Sequence, residues 1–359
     1  MKHFFPNESK ILFILLFLLL FISFLGQYSV AGGQLEGHLQ RHIVRIVLSI
    51  ILMGCVYRMD FRLWNNYAYL LYIFAFILLI IVDLLGVTKL GAQRWIDLYF
   101  FILQPSELMK LAIILTLVRY YSLLSAPEVL KLKSHILPIF LTLFPAVLVF
   151  RQPDLGTACI LIGTGVGIIF LSGFPLKIFA TALVSCFILC PFGWFFLHDY
   201  QKNRVLTFFY PDKDPLGAGY HILQSKIAIG SGHIWGRGFL QGTQSKLNFL
   251  PEKNTDFIFT TIAEEFGFVG SVLIIFLFLI ICYYFFWAAN ESRSRFSKLL
   301  CCGLGVLLYL HVFVNIAMVI GILPIVGIPL PFLSYGGSSM ITFTISCGLV
   351  MSSLKQQKH

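Results

Sequence analysis

Charge is scarce in this chain. Asp, Glu, Lys and Arg make up 12% of its 359 residues, and only 16 residues are acidic. A water-soluble fold of this length cannot cover its surface with so few charges, which excludes a soluble enzyme or binding domain. Sequence markers of nucleotide and metal chemistry are missing too. There is no G-x-x-x-x-G-K-[ST] loop, no H-E-x-x-H pair and no G-x-S-x-G nucleophile in a strand-to-helix setting. ATP-driven transport and zinc hydrolysis therefore lose their usual signatures. The eight cysteines, Cys55, Cys159, Cys186, Cys190, Cys282, Cys301, Cys302 and Cys347, all fall in apolar segments, against a disulfide framework. Cys186 and Cys190 stand four apart on one helical face, but two thiols do not make a zinc site. The formal charge of +10 is spread over the chain rather than gathered in a basic domain, so nucleic acid is not the partner.

What is abundant is apolar surface: 58% hydrophobic residues and a mean hydropathy of +0.87. Apolar runs predict an all-α polytopic membrane protein, a single domain over 1–359, with ten spans. They lie near 11–27, 44–57, 67–86, 105–120, 135–150, 157–173, 177–197, 256–288, 300–322 and 339–353, with Gly267 and Gly270 interrupting the eighth. The first run is long and lacks a small-x-small cleavage site, so it reads as a retained helix. Charge orients the spans. Lys2, Lys10, Arg58, Arg62, Arg119, Lys131, Lys133, Lys177, Arg293, Arg295, Lys298, Lys355 and Lys358 fall on the side of the termini, against Arg41, Arg45, Lys89, Arg94 and Arg151 in the short loops opposite and at their edges. The positive-inside bias therefore puts both termini in the cytoplasm.

The long loop at 198–255 then lies outside. It contains Pro211, Pro215 and Pro251, and its Gly230, Gly232, Gly236, Gly238 and Gly242 favour tight turns or close backbone approach. Too many apolar residues punctuate it for a floppy linker, and Tyr220–Ile229 has the periodicity of an interfacial helix. It reads as a folded cap on the outer leaflet.

Charged groups inside or beside spans must be paired, neutralised or exposed to a cavity. Glu107 and Lys110, three apart, can pair on one helix face, or Lys110 can meet an anionic ligand. Asp154 precedes a helix start, as a cap does, or places a cation or a sugar hydroxyl. Asp256 stands at the outer entry of the eighth span, where Thr260 and Glu264 continue a polar stripe; it is a cap, or a general base at the mouth of a cavity. Arg94, beside Trp95, is a surface residue or a bidentate phosphate ligand. Arg204, Lys226, Arg237 and Lys246 add positive charge in the long loop. Gln152, Gln224 and the Ser334–Ser338 segment supply hydrogen bonds to substrate or to loop backbone. Two classes remain open on this chemistry: a transporter with a polar cavity, or an enzyme acting on a lipid-linked polar substrate.

Several segments carry a closer likeness: GAQRWIDL at 91–98, FILQPSELMKLA at 101–112, RQPDLGTA at 151–158, DPLGAGYHILQSKIAIGSG at 214–232, GTQSKLNFLPEKNTDFIFTTIAEEFGFVG at 242–270 and GIPLPFLSYGGSSM at 327–340. In order and across nearly the whole chain, they resemble the SEDS family of peptidoglycan glycosyltransferases. The GTQ wording at 242–244 is more similar to its elongation branch than to its division branch.

The resemblance implies a ten-span enzyme of the bacterial inner membrane. It would polymerise lipid II onto a growing lipid-linked glycan strand on the outer side, alongside a class B penicillin-binding protein transpeptidase and the elongation machinery. Asp256 matches the family's essential acid and would serve as base. The substrate-binding set would be Arg94, Lys110, Asp154, Arg204, Gln224, Glu264 and Ser334, with Arg94, Lys110 and Arg204 facing the departing diphosphate; a divalent cation such as Mg or Mn is compatible but no cofactor is demanded. The chain departs from the family wording at Asn248, where Glu is common, at Asn254, where His is common, and at His233, where Gly is usual. Asn accepts no proton near neutral pH, so neither Asn248 nor Asn254 can assist Asp256 as a base. A lipid II flippase and a noncatalytic scaffold are the alternatives.

Overall fold

A computed structural model describes residues 8–35, 37–89, 92–97, 102–196, 199–211, 217–246 and 252–356. Lys2, Pro215, Asn248, Pro251 and Lys358, and the side chains of Lys89, Cys186, Cys190 and Lys246, lie outside the described residues.

In lipid, a spanning segment must satisfy its own backbone hydrogen bonds, so each apolar run folds as a helix. The order is α1 (Glu8–Val30), α2 (His38–Arg58), the short α3 (Phe61–Asn66) and α4 (Ala68–Leu85). A small antiparallel sheet follows, β1 (Val87–Lys89), β2 (Ala92–Asp97) and β3 (Ile102–Leu103), in the order β1-β2-β3. Then come α5 (Pro105–Leu123), α6 (Ala126–Val129), α7 (Lys133–Arg151), α8 (Leu155–Leu171), α9 (Leu176–Gly193), α10 (Asp199–Phe209), α11 (Ala218–Ser231), α12 (Thr243–Lys246), α13 (Ile258–Glu291), α14 (Arg295–Val319) and α15 (Gly337–Gln356).

Each of the ten expected spans contains one of these helices, and seven are long and apolar enough to cross a membrane: α1, α2, α4, α7, α13, α14 and α15. Of the other three, α5 carries Glu107, Lys110 and Arg119, α8 has 17 residues, and α9 is apolar over a shorter stretch. α2 begins at His38, six residues before the expected 44, so Arg41 joins Arg45 within the helix. The sheet was not anticipated, because its alternation is confined to three short segments.

Helices α4 and α7 expose many Leu, Ile and Phe side chains, the face expected against lipid. α5 is the opposite: nearly all of it is buried, packed against α4, α8, α14 and α15. α15 is buried as well and packs mainly on α2. These two form the interior of the bundle.

The interrupted eighth span shows how the 232–238 segment is held. Gly267 has φ +65°, a value glycine adopts without strain, and it breaks α13. The break frees backbone groups on both sides, and the 233–238 segment supplies their partners. Phe268 N donates to His233 O (2.9 Å) and Val269 N to Ile234 O (3.1 Å). In return Arg237 N donates to Glu264 O and Gly238 N to Glu265 O, both at 3.0 Å. The accounting of main-chain groups at the kink is thereby completed by another segment. Backbones must nearly touch for this: a Cβ on Gly232 or Gly236 would collide with the carbonyl of Ala263 or Glu265. His233 adopts φ +48°, which explains why glycine suits that position better.

α11 includes the expected interfacial helix, but it does more than lie on a lipid surface. Ser225 Oγ bonds Thr260 Oγ1 (3.0 Å) and Val319 O (2.7 Å), seating α11 on α13 and α14, while Leu223 and Ile227 face outward.

Candidate active site

One end of the bundle gathers the sheet, the α7–α8 turn, α10 to α12, the 252–257 turn and the 320–336 loop. Asp256 lies in that turn. Glu252 O accepts from the amides of Thr255 and Phe257, both at 3.2 Å, so the turn closes on itself just ahead of α13. The carbonyls of residues 254–256 are held by other parts of the fold. Asn254 O accepts from Gln27 Nε2 of α1 (2.9 Å) and from Tyr335 N (2.8 Å). Thr255 O accepts from Ser334 Oγ (2.6 Å), and Asp256 O from Asn315 Nδ2 of α14 (2.9 Å). Asn315 Nδ2 also donates to Ile328 O (2.6 Å), linking the Asp256 turn to the 320–336 loop.

The pinning is confined to the backbone of Asp256. Its carboxylate accepts no hydrogen bond from a described residue, and it caps no helix; Phe257 occupies the N-cap of α13 without a side-chain bond. The capping alternative is thus set aside. Gly327, at φ +72°, lets the chain pass close by: a Cβ there would come within 3.3 Å of Asp256 Oδ2. Asp256 is largely surrounded by protein yet keeps some accessible surface. Burial pushes its pKa up to about 7, Glu252 and Asp154 repel its charge in the same direction, and Arg204 and Arg94 pull partly against them.

Those interactions place four expected residues together: Arg94, Asp154, Arg204 and Asp256. Asp154 is the N-cap of α8, its Oδ1 accepting from Thr157 N (3.1 Å), so its capping reading holds. Arg94 stands on β2, whose hairpin delivers it to the α7–α8 turn. Its Nε donates to Gln152 O (3.1 Å), its Nη2 to Pro153 O, and Nη1 lies 3.6 Å from Asp154 Oδ2. Arg204 is half-buried on α10.

Of the remaining four, Ser334 adjoins the Asp256 turn, and Ser334, Lys110 and Glu264 are engaged in other ways. Lys110 is buried in α5, its Nζ bonded to Glu107 Oε1 (2.7 Å) and His311 Nε2 (2.8 Å). The expected ion pair is present, and direct contact with an anionic ligand would require opening it. Ser334 is used by the protein, donating to Thr255 O and accepting from Leu330 N. Glu264 does not line an open cavity as its stripe suggested. Its Oε1 accepts from Thr243 N (2.7 Å), Thr243 Oγ1 (3.0 Å) and Gln244 N (3.1 Å), tying α12 to α13. Gln224 is half-buried on α11, beside the buried Ser225.

Sequence reading missed Asn315, Gln27 and His311. A signal existed: His311 and Asn315 stand four apart in an apolar helix, where buried polar residues call for partners. As for a metal, no three His, Cys, Asp or Glu side chains converge among the described residues. Asp154 and Asp256 alone would offer a hard cation such as Mg or Mn too few protein ligands.

Comparison with known proteins now bears on this geometry. A family model described as cell cycle protein, FtsW/RodA/SpoVE, matches residues 9–359. The peptidoglycan glycosyltransferase MrdB of Escherichia coli (strain K12) is 44% identical over 303 residues, covering 84% of this chain and 81% of its own. Among solved structures, a chain from work on the coordination of polymerization and crosslinking by a peptidoglycan synthase complex superimposes with a TM-score of 0.84 at 29% identity, covering 96% of this chain and 97% of that one. The rod shape determining protein RodA of Thermus thermophilus superimposes with a TM-score of 0.73 at 26% identity, covering 97% of each chain.

Proposed function

The chain belongs to the FtsW/RodA/SpoVE family, and on that premise we propose a mechanism in which Asp256 is the general base of glycan polymerisation. The protein is a membrane-embedded peptidoglycan glycosyltransferase of cell elongation. Its substrates are lipid II and the growing lipid-linked strand. Asp256 takes the proton from the 4-hydroxyl of the GlcNAc of incoming lipid II. That oxygen attacks C1 of the strand's terminal MurNAc, the bond from C1 to the diphosphate oxygen breaks, and undecaprenyl diphosphate leaves with the bonding electrons. Attack from the opposite face turns the α-linked donor into a β-1,4 linkage.

A base with a pKa near 7 suits this step at neutral pH, because it is ionised often enough to act and basic enough to hold the proton. Arg94 and Arg204 are the cations best placed for the charge developing on the diphosphate, and Asp154 keeps Arg94 oriented. Lys110 supports the site from within the bundle through Glu107 and His311. The observation that carries the reading is the contrast at the turn: three consecutive carbonyls tied down, and the adjoining carboxylate without a hydrogen bond from any described residue.

A class B penicillin-binding protein fits as partner, since the most similar fold described above was solved within a synthase that couples polymerization to crosslinking. The excess of Lys and Arg at the opposite end of the bundle supports an inner-membrane orientation with cytoplasmic termini and an outward-facing site.

Labelled lipid II supplied to the purified chain with its transpeptidase provides the test. Parental protein is expected to build glycan ladders, and Asp256→Asn to lose about 10²- to 10⁴-fold in rate. A folded Asp256→Asn that polymerises at the parental rate removes the base; transbilayer movement without ladders in the parent points to a flippase.

A further inference from the structure

At the end of the bundle away from Asp256, a cavity of about 340 Å³ opens between α3, the α13–α14 turn and the C-terminus of α15. Its size falls within the range of small-ligand sites, roughly 300–1,000 Å³. Arg62 and Arg293 enter its wall from two separate elements, and no carboxylate lines it.

The two arginines differ from their neighbours. At the same end, Arg119 donates to the carbonyls of Asn65 and Asn66 and lies over the Tyr69 ring. Arg295 donates to Leu124 O, and Lys355 sits over the Tyr57 ring. The guanidinium groups of Arg62 and Arg293 have no ion pair or hydrogen bond to any described residue. A second feature points to a ligand independently: Asn65 Oδ1, in the same wall, is buried and lacks a donor. The floor is aromatic, with Phe61 and Phe296 edge to face at 5.6 Å, and Ser294 and Gln356 add polar groups at the rim.

We propose that this cavity binds the headgroup of an acidic phospholipid of the inner leaflet, with a hydroxyl-bearing headgroup of the glycerol type. The phosphodiester meets Arg62 and Arg293 through charge-assisted bonds, a headgroup hydroxyl donates to Asn65 Oδ1, and the first carbons of the lipid cover Phe61 and Phe296. The lipid is preferred over a soluble phosphate ester because the floor offers apolar contact that only the lipid can use. This site is independent of the chemistry at Asp256, and loss of one leaves the other reading intact.

The test uses the full chain in nanodiscs containing phosphatidylglycerol and phosphatidylcholine, with retained lipid counted by native mass spectrometry. The parental protein is expected to retain phosphatidylglycerol preferentially. Arg62→Gln and Arg293→Gln should each lower retention about fivefold, at about 1 kcal/mol per basic residue, while the charge-preserving Arg62→Lys/Arg293→Lys pair keeps most of it. Because both arginines are exposed, the single variants should fold and polymerise as the parent does. Equal retention of the two lipids by the parent, or unchanged retention in both Gln variants, overturns the proposal. Displacement of the lipid by glycerol 3-phosphate would reassign the cavity to a soluble phosphate ester and overturn the lipid as occupant.

Discussion

Asp256 and Glu264 sit on the same stretch of chain, at the same end of the bundle, and both begin as carboxylates on a polar stripe. The fold treats them in opposite ways. Glu264 is buried with three donors on a single oxygen, and its charge is used to hold α12 against the kinked α13. Asp256 has its backbone held just as firmly, but its side chain has no donor among the described residues and its pKa is raised. Hydrogen bonds to a carboxylate stabilise its charged form and weaken it as a base, so a reactive acid is one the protein declines to satisfy. The same contrast separates Asp256 from Glu107, whose charge is consumed by Lys110.

The contrast is broken most directly by titration. Activity should rise as pH climbs through about 7, where Asp256 becomes ionised. The sign for stability is opposite. A carboxyl whose pKa is higher in the folded than in the unfolded state binds protons more tightly when folded, so its contribution falls as pH rises from the ordinary carboxylate range to about 7. Asp256→Asn should therefore lose about 10²- to 10⁴-fold in polymerisation rate yet melt at the parental temperature or above at pH 8; a lower melting temperature would mean that Asp256 is structural.

Lys110→Met should do the reverse, destabilising by about 3–5 kcal/mol because Glu107 is left as an unpaired buried charge. Adding Glu107→Gln should recover much of that loss in thermal melts. Asn315→Leu strips the donor from Asp256 O and Ile328 O, about 1–3 kcal/mol for each buried carbonyl. It should cut polymerisation about 10- to 100-fold and displace the acid limb of the pH profile, a shift that plain destabilisation would not produce. Glu264→Gln sharpens the comparison from the other side. About 1–2 kcal/mol of charge-assisted bonding should go, with faster amide exchange at Thr243 and Gln244 and activity within about tenfold of the parent. Smallest of all, His233→Gly should raise stability by about 1 kcal/mol by relieving a positive φ, read as a higher melting temperature.

Much of the fold was legible because helix formation in a bilayer is a local matter. The positions of the ten apolar runs, the break at Gly267, the Glu107–Lys110 pair and the cap at Asp154 all depend on residues within a few positions of one another. Register across the bundle does not. Nothing near Glu264 announces that Thr243 and Gln244 will bond it, and the sheet that carries Arg94 to Asp154 is too short to leave a pattern. Asn315 could have been suspected as a polar residue in an apolar helix, but not as the donor to Asp256 O, some sixty residues away.

Composition and periodicity alone therefore determined that this is a membrane protein, where its helices run and which few charges it must accommodate, since the bilayer imposes those terms on each segment separately. Tertiary structure decided which of those charges would be satisfied. Whether a carboxylate becomes a latch or a base depends on the donors that other segments bring to it, and that is settled only when the helices pack.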